Sequence, residues 1–418
     1  MTDPCHPQSG PRVLSLEQAL DCILAHVAPV TGDEQILLKD CPGRVLHQNI
    51  YSPVDIPPDS QSSMDGYAFN SADLKTDGIS RLTITGTSWA GRPYTGTLKP
   101  NECVRIFTGA LVPEKADSVA IQENVLKCAK AVEIPSKTRV RDNIRLRGDE
   151  LRQGALVLKK GKRLGPADIG VLASLGIADI KVHRKPRVAF FSTGDELVSL
   201  DRQLQAGQIY DSNRYTLHGL LDAIGIEALD LGTVDDQDSA ITEMLLEASR
   251  ISDVVITSGG VSVGEADRVK PALEAIGQIE FWKIAVKPGK PLAFGQIDNA
   301  VFFGLPGNPV SVFVTFYQVV RPALLRMMGA SMGKKVRLRA RCASAITKIP
   351  GRQEFQRGTL EWTEHGEATV LPASKQQSHN LSTMAASNCF IVLPADSDGA
   401  ETGDTVEVEP IDAPFHFN

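Results

Sequence analysis

The spacing of apolar residues changes several times along the chain. Between Ser15 and Val27 apolar residues lie three or four positions apart, which predicts an amphipathic helix that Ser15 caps and Pro29 ends. From residue 51 to about 141, short β-type runs alternate with Gly and Pro turns, which predicts an all-β module. The clearest of these runs are residues 82–85, 103–107 and 118–122.

Residues 145–185 have a mixed pattern. Residues 155–159 are typical of a strand, and residues 166–175 of a helix with Pro166 near its first turn and Gly176 just beyond its end. The β module is therefore expected to be an insertion. Residues 1–50 and 145–185 would form one discontinuous α/β linking domain, and residues 51–144 the inserted β-rich domain.

Strands and helices alternate after Pro186. Predicted strands at 187–192, 226–231 and 253–257 alternate with predicted helices at 213–223 and 239–250. This series predicts βαβ units and a mostly parallel sheet covered by helices on both faces. Further strands are expected at 281–286, 291–294 and 301–303, followed by a long closing helix at 309–328. We assign residues 186–330 to this α/β domain.

The last part of the chain returns to short strands. Five runs separated by turns predict a small all-β domain over residues 331–418, resembling a barrel. These runs are residues 336–342, 358–362, 368–372, 389–393 and 405–408.

Composition narrows the possible functions. The 418 residues, at about 150 per domain, suggest two to four domains, and 44 basic against 50 acidic side chains give a net charge of −6. Such a chain is a poor candidate for binding nucleic acid or an anionic membrane. The seven cysteines form no CxxC pair and are widely spaced, so they indicate neither a disulfide framework nor a zinc site. The N-terminus also lacks the features of a signal peptide, and we expect a cytoplasmic protein.

Four loops are expected at the carboxyl ends of the parallel strands, where ligands bind in such sheets. Thr193-Gly194-Asp195-Glu196 places two acids at a strand tip, as a simple turn or as part of a metal or phosphate site. In the second loop, the acids Asp235, Asp236 and Asp238 either cap the next helix or hold a cation such as Mg²⁺.

The other two loops favour anions. Residues 257–267 read TSGGVSVGEAD, whose glycines allow backbone N–H groups to surround an anion. KPGKP at 287–291 places two lysines on a turn, and GLPGNP at 304–309 leads into a helix with Asn308 as its expected cap. Together these loops predict a site for a phosphorylated ligand and a metal ion.

Seven motifs, in this order along the chain, closely resemble those of the MoeA family of molybdopterin molybdenumtransferases, which includes the E domain of gephyrin. They are SMDGYA at 63–68, IFTGA at 106–110, RGD at 147–149, TSGGVSVGEAD at 257–267, KPGKP at 287–291, GLPGNPVS at 304–311 and FQRG at 355–358. The α/β domain also resembles the MogA family of molybdopterin adenylyltransferases. The resemblance covers nearly the whole chain.

The resemblance implies a function. Members of this family insert molybdate into adenylylated molybdopterin and release AMP, with Mg²⁺ or a similar cation, as elongated homodimers whose active cleft is shared between subunits. It also implies transient contact with other enzymes of molybdenum cofactor biosynthesis. Pterin sulfurs, rather than protein cysteines, would hold the molybdenum.

The resemblance also implies site residues. The expected catalytic residues are Asp65, Thr108, Asp149, Glu196, Asp236 and Asp267, with Glu196 and Asp236 as metal ligands and Asp267 as a pterin contact. The expected substrate-binding residues are Gly259, Gly260, Ser262, Gly264, Lys283, Lys287, Lys290, Pro291, Asn308, Arg357 and Ser378.

Several alternatives stay open at this point. Asp65 could serve only as a turn residue that accepts backbone hydrogen bonds, and Arg357 could form a surface ion pair. The sequence does not decide whether Asp235 or Asp236 faces the cleft. Two other functions also compete with molybdate insertion, namely adenylylation of molybdopterin and a non-catalytic dimeric scaffold.

Overall fold

The computed structural model describes residues 13–136, 141–260, 269–331, 333 and 335–411. The chain forms two compact units, which we treat separately. Unit 1 contains residues 1–47, 161–165 and 180–418, and unit 2 contains residues 48–160 and 166–179.

A seven-stranded, mostly parallel sheet forms the centre of unit 1. Four of its six strand pairings are parallel, and the two antiparallel ones both involve Pro291–Ile297. The prediction of a mostly parallel α/β sheet is therefore confirmed. In spatial order the strands are Val13–Leu14, Gln278–Ile284, Pro291–Ile297, Ala300–Leu305, Val254–Ser258, Arg187–Thr193 and Glu227–Val234.

Helices cover both faces of this sheet. Along the strand Arg187–Thr193, Val188 and Phe190 belong to one apolar core, and Ala189 and Phe191 belong to another. Because successive side chains of a strand point to opposite faces, a strand buried on both sides reads as a continuous apolar run. The helices of unit 1 are Leu16–His26, Ser212–Ala223, Asp238–Ile251, Val269–Ile276, Pro309–Thr315, Arg321–Met327 and Leu381–Ala385.

The N-terminal helix begins at a capping box. The Ser15 side chain accepts the Gln18 backbone N–H, and the Gln18 side chain accepts the Ser15 N–H, as the Ser15 cap prediction requires. The preceding residues Val13–Leu14 pair in parallel with Lys283 and Ile284 at the sheet edge. The start of the described chain therefore adds an edge strand to the α/β sheet.

The closing helix contains a π-helical segment. The helical region extends from Pro309 to Met327 as predicted, but Phe316–Val320 is π-helical. Within it, the buried Gln318 donates a hydrogen bond of 2.8 Å to Glu409 near the end of the chain. This contact ties the helical region of the α/β part to the C-terminal strand.

The C-terminal part forms a closed five-stranded barrel. Gln353–Trp362 pairs with Ala368–Pro372 on one side and Cys389–Leu393 on the other, which closes the ring and confirms the barrel prediction. The barrel strands are Leu338–Cys342, Gln353–Trp362, Ala368–Pro372, Cys389–Leu393 and Thr405–Pro410. The remaining strands of unit 1 are Asp33–Leu37, Leu197–Val198, Ile209–Tyr210, Val286–Lys287, Ile346–Thr347, Gly399–Ala400 and residues 180–183 of Asp179–His183.

Unit 2 is built on a six-stranded mixed sheet. In spatial order its strands are Ser118–Ile121, Gly66–Phe69, Glu102–Ile106, Ile79–Ser88, Ala131–Pro135 and Leu126–Cys128. Two smaller ribbons pair Ile50–Tyr51 with Leu156–Leu158 and Gln61–Ser62 with Ile144–Arg145. The helix Pro166–Ser174 completes the unit. The predicted β module is thus present.

Two further observations concern cysteines and membranes. Cys22 is disulfide-bonded, although the sequence indicates no disulfide framework, because wide spacing in sequence says nothing about distance in the fold. Free thiols are found at Cys41, Cys103, Cys128, Cys342 and Cys389.

Within the described ranges, no helix has the length and apolar character needed to cross a bilayer.

Candidate active site

A large cleft lies in unit 1 at the carboxyl ends of the parallel strands, where the sequence predicts a ligand site. Its volume is about 1180 Å³, and one side is closed by loop residues of the C-terminal barrel. Nine predicted site residues line it, namely Glu196, Asp236, Gly259, Gly260, Lys287, Lys290, Pro291, Asn308 and Ser378.

Two carboxylates stand on the acidic side of the cleft. Glu196 follows the strand Arg187–Thr193, and its carboxylate folds over Gly194, where a Cβ would come within 2.6 Å of Oε2. Asp236 lines the cleft and its backbone N–H donates to Oδ1 of Asp195 at 3.0 Å. Asp235 is exposed and does not line the cleft, so the structure assigns the cleft position to Asp236.

The helix after these acids has no side-chain cap. Gln237 occupies the N-cap position of Asp238–Ile251 without a side-chain hydrogen bond, and Asp238 lies in the first turn. Asp238 therefore lies where an acid interacts favourably with the start of a helix, whereas Asp236 lines the cleft, and a cation at Asp236 stays a prediction.

Two described glycines form the next part of the wall. Gly259 has a φ of +93°, and a Cβ there would lie 2.6 Å from the carbonyl oxygen of Thr193. Gly260 has a φ of +65°. Left-handed backbone in close contact with a neighbouring strand requires glycine. The other predicted residues of this loop, Ser262, Gly264 and Asp267, lie outside the described residues.

The basic side of the cleft carries Lys287 and Lys290. Lys287 Nζ lies 3.0 Å from Oε1 of the buried Glu354, while Lys290 is exposed. The third predicted lysine, Lys283, is on the strand Gln278–Ile284 opposite Pro291 and does not line the cleft. The substrate-binding role of Lys283 therefore stays a prediction.

Asn308 occupies the N-cap position of Pro309–Thr315, as predicted, but its side chain makes no capping hydrogen bond. The neighbouring Gly307 carbonyl accepts a hydrogen bond of 2.7 Å from the Asn213 side chain, which also donates to Ser258 at 2.8 Å. Asn213 thereby fixes two cleft loops relative to each other.

The loop Gln376–His379 of the barrel closes the cleft. The Val310 N–H donates to the Ser378 carbonyl at 3.0 Å, which holds this loop against the start of the closing helix. The Arg357 guanidinium supports the same loop from behind, with Nη2 donating to the carbonyls of Lys375 at 2.7 Å and Gln377 at 3.3 Å.

Arg357 is fully buried, so the surface ion-pair alternative is wrong. It lies behind the residues that line the cleft, and its Nε donates to the Thr383 hydroxyl at 3.0 Å. Burial lowers the pKa of the guanidinium. Its Nη1, which is buried as well, has no hydrogen-bond partner among the described residues.

Other buried polar atoms of the cleft are also unsatisfied within the described part of the chain. They include the Thr193 hydroxyl and the Asn213 Oδ1. Buried polar groups are normally hydrogen-bonded, so unsatisfied ones in a cleft indicate the position of a ligand or water. The described residues contain no group of three or more His, Cys, Asp or Glu side chains arranged to hold a metal ion.

Three predicted catalytic residues lie in unit 2. Oδ1 of Asp65 accepts the Thr108 backbone N–H at 2.8 Å and the Thr108 hydroxyl at 2.9 Å. These two bonds lower the pKa of Asp65. Oδ2 of Asp149 accepts the Leu146 N–H at 2.6 Å, within the turn that carries the RGD motif. Asp65 thus accepts a backbone N–H and a hydroxyl from Thr108, which lies in another segment and not in the turn of Asp65, and its catalytic role stays a prediction.

We expect Thr108→Val to raise the pKa of Asp65 while leaving it below the ordinary value of 3.8, because the backbone N–H at position 108 remains. A carboxyl whose pKa is lowered by folding stabilises the fold above its unfolded-state pKa, and this stabilisation is lost as the pH falls through the folded-state value. In the variant, the acid-side loss should therefore be smaller, and it should be complete at a higher pH.

A ¹³C titration of the Asp65 carboxyl measures this change. The control is Thr87→Val, an exposed threonine on the neighbouring strand Ile79–Ser88, which should leave the titration unchanged. An unchanged Asp65 titration in Thr108→Val would show that the hydroxyl does not interact with the carboxylate in solution.

Several cleft residues were not predicted from the sequence. They include Asp211, Asn213, Arg352, Gln376, Gln377 and His379. Asp211 and Asn213 begin the helix Ser212–Ala223, where the Asp211 side chain accepts the Arg214 N–H at 3.1 Å. Their signal was the YDSN sequence between a strand and a helix, which is typical of a helix cap at a strand end.

Family models match most of the chain. Residues 14–176 match the MoeA N-terminal region (domain I and II), residues 189–326 match a probable molybdopterin binding domain, and residues 339–411 match the MoeA C-terminal region (domain IV). These segments include every predicted site residue that the structure places in the cleft.

Individual relatives of this chain point to the same family as the family models. The chain is 42% identical over 400 residues to a molybdopterin molybdenumtransferase of Haemophilus influenzae, with 95% of this chain and 98% of the relative covered. It is 34% identical to one from a Nostoc species, with 94% and 92% covered. The structure resembles a molybdopterin biosynthesis MoeA protein from Pyrococcus horikoshii, with a TM-score of 0.84, 28% identity and coverage of 96% and 100%. The chain therefore belongs to the MoeA family of molybdopterin molybdenumtransferases, enzymes of molybdenum cofactor biosynthesis.

Proposed function

We propose that this enzyme inserts molybdate into adenylylated molybdopterin in the described cleft, in a Mg²⁺-dependent reaction that releases AMP. The observation that carries the proposal is the arrangement of the cleft, which places two acids on one wall and two lysines on another, with a glycine-rich strand end between them. This arrangement suits a substrate with several phosphate charges together with a cation.

The basic wall is proposed to hold the oxyanions. Lysine ammonium groups, hydroxyls and backbone N–H groups are suitable hosts for a dianion such as molybdate. Lys287, Lys290 and the Ser378 loop provide such groups at the cleft. The unsatisfied Nη1 of the buried Arg357 adds a donor behind that loop. We therefore propose this side as the molybdate side.

The acidic wall is proposed to hold Mg²⁺. Mg²⁺ is commonly bound by one or two carboxylates together with water and substrate phosphates, so two cleft carboxylates fit this ion. Glu196 and Asp236 would be these ligands. When bound, Mg²⁺ offsets the charge that builds on phosphate oxygens as the bond to AMP breaks. The Asp195 carboxylate keeps the loop of Asp236 in place through its backbone hydrogen bond.

The nucleotide and the pterin are proposed to lie along the glycine-rich strand end. Gly259 and Gly260 allow close approach of the backbone, with Pro291 and Asn308 on the neighbouring loops. Ser262, Gly264, Lys283 and Asp267 keep the substrate-binding or pterin-contacting roles that the resemblance implies, as proposals. The pterin sulfurs would ligate the inserted molybdenum.

Further proposals follow from the family resemblance. We propose catalytic roles for Asp65, Thr108 and Asp149, in a homodimer whose cleft is shared between subunits. We also propose a cytoplasmic location and transient contact with enzymes that precede and follow this step. The hydrogen-bonded Asp65–Thr108 pair supports a defined carboxylate position in unit 2.

Release of AMP from adenylylated molybdopterin tests the proposed reaction. We expect release by the wild-type enzyme to require both molybdate and Mg²⁺, with molybdenum cofactor forming in equal amount. A folded dimer that releases no AMP would overturn the insertion proposal in favour of a scaffold role. Consumption of ATP without molybdate would instead indicate an adenylyltransferase.

A further inference from the structure

A buried carboxylate stands behind one of the two cleft lysines. Glu354 in the barrel strand Gln353–Trp362 is 3% exposed, and its Oε1 lies 3.0 Å from Nζ of Lys287. Its other oxygen, Oε2, accepts a hydrogen bond of 3.0 Å from the Gln356 side chain. A carboxylate removed from water needs partners for its charge, and Lys287 supplies the opposite charge here.

The main chain fixes both ends of this contact. Val286–Lys287 pairs in parallel with the start of the barrel strand, with Lys287 in register with Glu354. The Gln353 N–H also donates to the Ala285 carbonyl at 2.9 Å. The KPGKP turn is therefore attached to the barrel where the carboxylate is buried, so the backbones of Lys287 and Glu354 cannot separate without breaking strand pairing.

The Lys287 side chain lies between the buried carboxylate and the open cleft. It is 46% exposed, and the residue lines the cleft. A free lysine side chain has four flexible carbons and samples many positions in water. Contact with a fixed, buried carboxylate limits these positions to those in which the ammonium stays at the cleft wall.

We propose that Glu354 is a positioning residue, which holds the Lys287 ammonium at the cleft wall in the orientation that receives the oxyanion of the substrate. This inference rests on the proposed function, which assigns the basic wall to molybdate. Glu354 itself does not line the cleft. It acts through Lys287, by reducing the conformational freedom that the lysine would otherwise lose on binding.

Glu354→Gln tests the role because it keeps the size of the side chain and removes its charge. Two effects oppose each other in this variant: loss of orientation weakens anion binding, and loss of a nearby negative charge strengthens it. Lys287 is nearly half exposed, where water and salt screen the second effect. We therefore expect the loss of orientation to dominate.

The expected kinetic result is a KM for molybdate about tenfold higher, a difference typical of coupled neighbouring charges. The kcat of AMP release should remain within about threefold of the wild type, because the acidic wall is unchanged. In a Lys287→Met background, Glu354→Gln should produce no further rise in KM. Equal rises in both backgrounds would overturn the proposal and leave Glu354 a purely structural residue.

Lysine labelling gives a readout that does not depend on catalysis. In the wild type, acetylation by an amine-reactive ester should modify Lys287 more slowly than Lys290, and Glu354→Gln should accelerate Lys287 alone, by about tenfold. The control is Glu361→Gln, an exposed glutamate on the same barrel strand, which should change neither labelling nor KM. Unchanged labelling of Lys287 in Glu354→Gln would also overturn the proposal.

These outcomes separate the two proposals. Wild-type enzyme that releases no AMP contradicts the proposed function, even where Lys287 labelling shows the contact with Glu354. Active wild-type enzyme whose Glu354→Gln variant has normal KM and normal labelling contradicts the positioning role alone.

Discussion

Glu196→Gln is expected to lower the kcat of molybdate-dependent AMP release by about 100-fold to 1000-fold, the range seen when one group that stabilises transition-state charge is removed. Glutamine keeps the shape of the side chain at the cleft wall but cannot supply the negative charge that a divalent cation requires. The measurement is single-turnover AMP release together with cofactor formation, at saturating molybdate and several Mg²⁺ concentrations.

The matched control is Asp235→Asn. Asp235 is exposed, is adjacent to Asp236 in sequence and does not line the cleft, so its variant should retain wild-type kinetics. If Glu196→Gln retains full activity at every Mg²⁺ concentration, Glu196 is not a metal ligand. If Asp235→Asn is as impaired as Glu196→Gln, the acidic wall is assigned to the wrong loop residues.

The cleft position of Glu196 and Asp236 could be predicted because sheet geometry fixes it. In a parallel sheet the carboxyl ends of the strands meet at one edge, so loops that are far apart in sequence become neighbours there. The strands Arg187–Thr193, Glu227–Val234 and Val254–Ser258 were recognisable as apolar runs. Their following loops were therefore assigned to one site with no knowledge of the contacts between them.

Contacts with the barrel could not be predicted in this way. Ser378 reaches the cleft because the Val310 N–H binds its carbonyl and the Arg357 side chain supports the loop from behind. The first bond depends on how the barrel packs on the α/β part and the second on how a barrel strand packs against its own loop, and no local pattern encodes either. For the same reason the burial of Arg357 was missed, since charged residues are rarely fully buried.

The edge strand Val13–Leu14 shows a second limit of prediction from the sequence. Two residues are too few to give a periodic pattern, and their partner Lys283–Ile284 lies about 270 positions later in the chain. Asn213 was not predicted as a cleft residue for a related reason. Its amide joins Ser258 and Gly307, which belong to two different loops, and only the assembled fold brings them together.

Gly66→Ala is expected to destabilise unit 2 by about 3 to 5 kcal/mol, at the upper end of the effects of overpacking. Gly66 belongs to the SMDGYA motif and pairs with Ile121 on the edge strand Ser118–Ile121. A Cβ at this position would lie 2.0 Å from the Ala120 carbonyl oxygen and 2.9 Å from its carbon. Because both atoms belong to the backbone, the sheet itself must move to accommodate the methyl group.

Hydrogen exchange measured by mass spectrometry should show this loss as faster exchange in peptides that contain Gly66–Phe69 and Ser118–Ile121. The control is Gly170→Ala in the helix Pro166–Ser174 of the same unit, where nothing beyond the neighbouring residues and the backbone of that helix lies within 4 Å of the added Cβ. Alanine favours helix over glycine, so this control should be neutral or stabilising by up to about 1 kcal/mol. Slow exchange retained in Gly66→Ala would mean that the sheet accommodates the methyl group without losing stability, contrary to the close contact at Ala120. If Gly66→Ala both exchanges faster in these peptides and releases AMP more slowly, the packing of this sheet also determines the position of the neighbouring Asp65.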